Sequence, residues 1–271
     1  MSTQYFPLFA CTSGPIRLEL QLVSSAAQCV GTITDLTPLV INNCEYVANM
    51  IELSDSAMAM IQSSLNGQPL QYVVPDYKNY AYTAPAFAED TLTQIQMSIP
   101  AKFSSLKSLL LSFRDRITGA LTYFPFSSIK AGIVDYTFRV GSVVFPAKSP
   151  STIPEMFSEV LKAIGSMSDL HHQPSIEKFT YTIDRNGTAI SATNFGSLSS
   201  GSFYVGLDLE NYANANKDSI FAGYNSNTDD IYFVGNFRTA AGSGNITLRI
   251  DAYAMFDEVV VFENNTAFVR F

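Results

Sequence analysis

Histidine is the side chain best suited to moving protons near neutral pH, and this chain has two, adjacent at His171 and His172. Neighbouring side chains on a helix or strand point to different sides. No HxxxH or HExxH spacing accompanies them, so they make neither a paired metal site nor a zinc-hydrolase motif. They read as exposed loop residues after a helix. The same shortage confines any Ser-His-Asp relay to this one pair, and the GxSxG, P-loop and GxGxxG signatures are missing. Two carboxylates, Asp208 and Glu210, occupy alternate positions in VGLDLEN. On a strand they would share a face, as a glycosidase pair must, but a strand end running out to solvent looks the same. Asn225, Asn227, Asp229 and Asp230 place oxygen ligands at alternating positions, loosely like a calcium loop. That match fails at its sixth position, Asp230 where Gly belongs, and at its twelfth, Asn236 where Glu belongs. A turn and a weak cation site both fit what remains. No catalytic, cofactor-binding or metal-ligating residue is assigned from the sequence, and no cofactor is expected.

Cys11, Cys29 and Cys44 form no CxxC pair, and an odd count argues against a disulfide framework. They read as reduced structural thiols. The sequons Asn186-Gly187-Thr188, Asn245-Ile246-Thr247 and Asn264-Asn265-Thr266 read as turn residues, because the N-terminus lacks the basic and apolar regions of a signal peptide. No run approaches the ~18 apolar residues of a membrane span. Synthesis in the cytoplasm is the expectation that follows.

Composition points to a large packed core. Of 271 residues, 47% are hydrophobic, and 20 Phe and 14 Tyr compensate for the absence of Trp, a palette suited to sheet-on-sheet packing. Only 15% are charged and the net charge is −8. The weakly charged surface favours burial against neighbours, and the negative balance excludes sequence-independent binding to nucleic-acid phosphates.

The elements that would position these residues are mostly strands. IRLELQLV (16–23) alternates apolar and polar residues as a half-buried strand does. A second strand is expected over 45–53. Ser54 then caps a short helix ended by Asn66-Gly67. LQYVVPDYKNYAYTA holds a Pro, which makes it an edge or interrupted strand. Strands follow over 93–99, 106–114 (Leu-rich, yet placed between strand-like runs) and 135–145, the last with a bend at Gly141. Thr152 and Glu155 form a capping box, with Pro154 in the first turn. Ile153, Met156, Phe157, Val160, Leu161 and Ile164 recur at helical spacing, so an amphipathic helix closed by Gly165 lies on the sheet. Strands over 176–183, 203–209 and 231–237 are separated by polar loops at 184–202 and 211–230. The C-terminal region holds three more extended runs: 246–251, 259–262 and 267–271. A chain whose last residue lies in a strand suggests a sandwich that closes on its terminus. Eight or more strands with two short helices in loops give an all-β fold, a jelly-roll β-sandwich.

In their order, IRLELQLV, NNCEYVANMIELSDSAMAMI, IPAKFSSLKSLLLSFRD, DYTFRVGSVVFP with IPEMFSEVLKAI, SFYVGLDLENY, AGYNSNTDDIYF and the terminal strand pair resemble the C-terminal part of double jelly-roll major capsid proteins. These belong to double-stranded DNA viruses, and the resemblance is to the polinton-like virus and virophage group. It implies that residues 1–43 are the last strand and connection of a preceding jelly roll, and that 44–271 form the second. It also implies a trimeric capsomer, other capsid proteins as partners and a place in the virion shell.

The leading expectation is therefore a structural, non-enzymatic capsid subunit that assembles with itself. The alternative is a carbohydrate-binding, lectin-like sandwich that stacks sugars on Tyr-rich segments such as Tyr72 to Tyr82. A glycosidase built on Asp208 or Glu210 stands third.

Overall fold

The computed structural model describes residues 6–11, 13, 17–20, 42–115, 128–165, 176, 181, 202–210, 222–239, 241, 245, 247–263 and 266–270. Among them are β1 (Leu70–Thr83), β2 (Thr93–Ile99), β3 (Leu106–Asp115), β4 (Ile133–Val140), β5 (Val143–Phe145), β6 (Tyr204–Asp208), β7 (Ile231–Phe237), β8 (Leu248–Glu263) and β9 (Thr266–Arg270). Two α-helices accompany them, α1 (Asp55–Leu65) and α2 (Ile153–Ala163).

The pairing follows one rule. β1 lies antiparallel to β8, β2 to β7, β3 to β6 and β4 to β5. Each strand of the first half thus meets its mirror in the second, as in one long hairpin folded at the β4–β5 turn. Two further antiparallel pairings, β3 with β8 and β4 with β7, roll that hairpin into two sheets of order β1-β8-β3-β6 and β2-β7-β4-β5. An eight-stranded, two-sheet arrangement wound in this way is a jelly roll. β9 is an addition, paired with β8 alone.

Alternation decides which residues go between the sheets. On β2, Ile95, Met97 and Ile99 are buried while Gln94, Gln96 and Ser98 are exposed. On β3 and β8 the inward sets are Leu109, Leu111 and Phe113, and Ile250, Ala252, Ala254 and Phe256. The sheets are joined by aromatic contacts: the Phe113 ring lies 5.9 Å from Phe233 and 5.7 Å from Phe237. Phe103 stacks on Phe256 at 3.7 Å near one end. Phenylalanine takes the part that tryptophan often plays in such cores.

Helix α2 covers the outer side of β6. Its N-terminus is the capping box the sequence announces: Glu155 N–H donates to Thr152 Oγ1, and Glu155 Oε2 accepts from the Thr152 and Ser151 amides at 3.1 and 3.0 Å. Met156, Val160 and Ala163 are its buried residues. The helix comes so near the sheet that a Cβ on Gly206 would lie 2.8 Å from the Ala163 Cβ and 2.9 Å from the Val160 Cα. Helix α1 is capped by Ser54, which accepts from the Ala57 amide at 3.3 Å, and ends on Asn66 in the left-handed region, but it buries no residue.

Several expectations need correction. The run over 45–53 belongs to no strand and is exposed throughout: its composition is a strand's, yet no sheet edge among the described residues receives it. Residues 17–20 of the first expected strand are likewise irregular and exposed, and its remaining residues lie outside the described ones. The single bent strand expected over 135–145 is the hairpin β4–β5. Gly141, at φ +58°, makes the turn rather than a bulge, and its Cβ position is filled by the Asp229 carboxylate 2.8 Å away. The runs expected at 246–251 and 259–262 are one sixteen-residue strand, β8. It is β8 that closes the roll, while β9 is exposed along its length. β1 does hold a sheet edge but runs uninterrupted through Pro75. The strand expected over 176–183 falls outside the described residues except for Ile176 and Tyr181, neither of which is in a strand.

Two outcomes test this packing. Gly206→Val should separate α2 from β6 and cost about 1–3 kcal/mol, read as a lower urea midpoint at unchanged slope. Glu155 is held down from 4.5 to about 2, first by the Lys148 ammonium and then by the Ser151 and Thr152 amides. A depressed carboxylate adds stability above its unfolded value and loses it as pH falls through the folded one. The thermal-midpoint gap between wild type and Glu155→Gln should therefore be present at pH 7, shrink below pH 4.5 and vanish near pH 2.

Candidate functional site

The carboxylates singled out in the sequence are separated by the end of β6. Asp208 is its last residue and turns back to accept the Glu210 amide at 3.0 Å. Burial raises its carboxyl above the ordinary range, with that hydrogen bond and Lys162 opposing the shift. Glu210 lies beyond the strand and reaches Lys107 at 3.4 Å. Lys107 in turn stands 3.0 Å from Asp257, a nearly inaccessible side chain on β8. The other Asp257 oxygen accepts from Ser105 Oγ at 2.7 Å, and the Asp257 amide donates to the Ser105 carbonyl at 3.0 Å. Asp208 and Glu210 are thus engaged in two different structural contacts and do not face one reacting centre.

The alternating Asn/Asp residues are tied into a clasp. Lys102 Nζ lies 2.9 Å from Asp230 Oδ1 and donates to the Asp229 carbonyl at 2.6 Å. The Tyr224 hydroxyl donates to Asp229 Oδ2. Asn225 Oδ1 accepts from the Asn227 amide at 3.2 Å, closing an Asx turn. Ser226 Oγ accepts from the Phe103 amide at 3.0 Å and donates to the Ala101 carbonyl at 2.7 Å. A lysine ammonium thus holds the position a cation would need, and the cluster joins residues 101–103 to the loop before β7. Among the described residues no group of three or more His, Cys, Asp or Glu is arranged to hold a metal.

The tyrosines of β1 serve mainly as packing. Tyr72 meets Phe262 edge-on at 5.8 Å, and Tyr80 and Tyr82 pack against the core, leaving Tyr77 as the one exposed ring of the four. A row of accessible rings for sugar stacking is not formed there. Cys11 and Cys44 are free, the first half-buried and the second exposed, so Cys44 packs no core. His171, His172, Cys29, the Asn186 sequon and nearly all of loop 184–202 lie outside the described residues, as do 211–221, Ile246, Asn264 and Asn265.

Sequence reasoning missed the buried charges on β8. Asp251, 1% exposed, accepts from Arg249 Nε at 3.1 Å, while the Arg114 guanidinium stands 3.0 Å from its second oxygen without hydrogen-bond alignment. Arg114 Nη2 also donates to the Tyr253 hydroxyl at 3.4 Å. Only the β3–β8 register, which sets Ser112 opposite Asp251 and Arg114 opposite Arg249, brings these groups together, and composition carries no sign of it. Further along β8, burial and the nearby Asp76 raise the Glu258 carboxyl above its ordinary range. Also missed was a surface of large apolar side chains: Tyr46, Val47, Met50 and Ile51 on the segment before α1, and Phe268 and Val269 on β9.

No protein-family model matches the chain, and none of the curated proteins matches it. Solved structures do. The major capsid protein of mavirus aligns at a TM-score of 0.44 and 12% identity, over 75% of this chain and 41% of the other. The PBCV-1 virus capsid aligns at 0.49 and 8% identity, over 79% and 54%. The Sputnik virophage structure aligns at 0.40 and 12% identity, over 74% and 39%. The chain spans about two-fifths to a little over half the length of these neighbours. The jelly roll itself rests on the strand order of the chain, independently of these alignments.

Removing the Lys107 ammonium strands a buried carboxylate, so Lys107→Met should cost about 3–5 kcal/mol. Adding Asp257→Asn to it should restore part of that loss in a chemical-denaturation cycle. A raised carboxyl penalises folding above its unfolded value and not below it. Glu258→Gln should therefore raise the thermal midpoint at pH 7, by the small effect of a partly exposed charge, under about 1 kcal/mol. At pH 3 it should leave the midpoint unchanged.

Proposed function

We propose that this chain is a structural subunit of a viral capsid, a jelly-roll block that assembles with copies of itself and with other capsid proteins. One observation carries the reading. The roll is satisfied within a single chain, with its four mirror pairs all made, yet large apolar residues remain outside it on 45–53 and on β9. Apolar surface of that kind on a closed domain marks contact with other molecules. The low charge content supports the same reading, as does the resemblance of the quoted segments to double jelly-roll capsid proteins. A jelly roll is also used by lectins and cupins, and fold alone does not choose among them. Here Asp208 and Glu210 serve a turn and an ion pair, the Asn/Asp cluster a clasp between loops, and Tyr72, Tyr80 and Tyr82 packing.

On this reading 44–271 is a jelly-roll domain, and 1–43 is a strand and connection belonging to a preceding one. The capsomer is a trimer, the protein is made in the host cytoplasm and resides in the virion, and its role is non-enzymatic. Its net charge of −8 leaves genome binding to other components. Assembly is driven by burial of apolar surface at ~25 cal/mol per Å² over broad contacts. Light scattering after size exclusion, with negative-stain microscopy of the same fractions, should show oligomers, trimers first, or particles. A strictly monomeric species at micromolar concentration would overturn the proposal.

A further inference from the structure

The segment 45–53, EYVANMIEL, presents four large side chains, Tyr46, Val47, Met50 and Ile51, that are 61–86% exposed. It belongs to no helix or strand. It leads through Ser54 into α1, which buries nothing either. Drawn out as a strand at ~3.3 Å per residue, a nine-residue arm would reach about 30 Å. An apolar segment of strand-like composition without a partner strand needs an edge to complete it.

The sheets offer edges of unequal quality. β1 lies at one, but it carries Pro75, which has no amide donor, and Lys78, which lies over the Tyr80 ring; prolines and lysines are the devices that keep edges from pairing. β5 and β6 are three and five residues long, and on β2, which holds the remaining edge, the outward side chains Gln94, Gln96 and Ser98 are polar. β9 has neither device. It pairs with β8 on one side, its other side carries no strand among the described residues, and Phe268 and Val269 are exposed on it. The charges complement the fit. Arg270 lies over the Phe268 ring at 5.4 Å, with no carboxylate paired to it among the described residues. The arm carries Glu45 and Glu52 near its two ends, and neither has an ion-pair partner among the described residues. An acid therefore stands near Arg270 whichever way the arm runs.

We infer that residues 45–53 of one copy add as a strand to the open edge of β9 in a second copy, with Glu45 or Glu52 meeting Arg270. Main-chain hydrogen bonds supply the affinity, and the apolar pairs Tyr46–Val47 and Met50–Ile51, one side chain of each on either face, supply the selectivity, as in other cases of strand addition. The inference rests on the self-assembly reading and specifies its contact. Within one molecule the arm is left unpaired, so the completing edge comes from a neighbour.

Cross-linking between differently marked chains tests it. In full-length protein with Cys11, Cys29 and Cys44 replaced by Ser, one population carries Asn49→Cys and the other Ala267→Cys, both at exposed positions. The two are co-expressed and treated with a short bismaleimide. A covalent dimer containing one chain of each kind is the expected product, and Met50→Asp with Ile51→Asp in the first population should reduce it at least tenfold at unchanged circular dichroism. Linkage that occurs only when both cysteines are in the same chain would overturn exchange between copies. Oligomers that persist without linkage would overturn the arm contact while leaving self-assembly intact. Monomers alone at every concentration would overturn both.

Discussion

Strand β8 is the constraint on which the rest of the molecule depends. It is paired along both sides: with β1 from Arg249 through Phe262, and on the other side with β3 over its first half and β9 over its last residues. A strand hydrogen-bonded on both edges leaves few backbone groups wanting partners. It also fixes register, since a one-residue slip would send Ile250, Ala252, Ala254 and Phe256 out of the core and bring Arg249 and Asp251 into it. The mirror pairing of the jelly roll requires a last strand that meets the first, and β8 is long enough to do this and still extend past the roll to hold β9.

The charges on β8 follow from the same position. Asp251 is flanked by β1 and β3, and Asp257 by β1 and by Ser105 just before β3; each is compensated by a cation from β3, Arg114 for the first and Lys107 for the second. Buried pairs of this kind contribute little net stability but penalise any register that separates them. Between them the small residues Ala252 and Ala254 stand opposite Leu111 and Leu109 of β3, all four buried. Close to Asp257, whose partner Ser105 Oγ also accepts from the Gly223 amide, the Lys102–Asp230 and Tyr224–Asp229 contacts hold the approach to β7 and fill the space beside Gly141. The polar groups that first suggested chemistry are thus used to fix where loops meet sheets.

Much of this was legible in the chain. The alternation in TQIQMSI and IYFVGNF gives β2 and β7 directly, because each has one face on the core. The capping box at Thr152 and Glu155 sets the start of α2. The failures have physical reasons. The segment 45–53 has a strand's composition, but a strand exists only where an edge accepts it, and that depends on partners distant in sequence. β8 reads as two strands because its middle, AYAMFDE, carries the buried Asp257 next to the buried Phe256, which breaks the expected alternation. Gly141 was recognised as a break, yet whether a glycine bends a strand or turns a hairpin is decided by the pairing of Phe138 with Phe145. No residue pattern reveals that Glu210 meets Lys107 rather than Asp208.

What results is a sandwich closed within one chain, with large apolar side chains left exposed on 45–53 and on β9. Hydrogen exchange followed by mass spectrometry, on dilute and on assembled protein, tests this division most directly. Amides of 248–256 should be protected in both samples, whereas those of 45–53 and 266–270 should exchange quickly when dilute and become protected on assembly. Equal exchange of the outer segments before and after oligomers form, or rapid exchange across 248–256 in the dilute sample, would contradict the account.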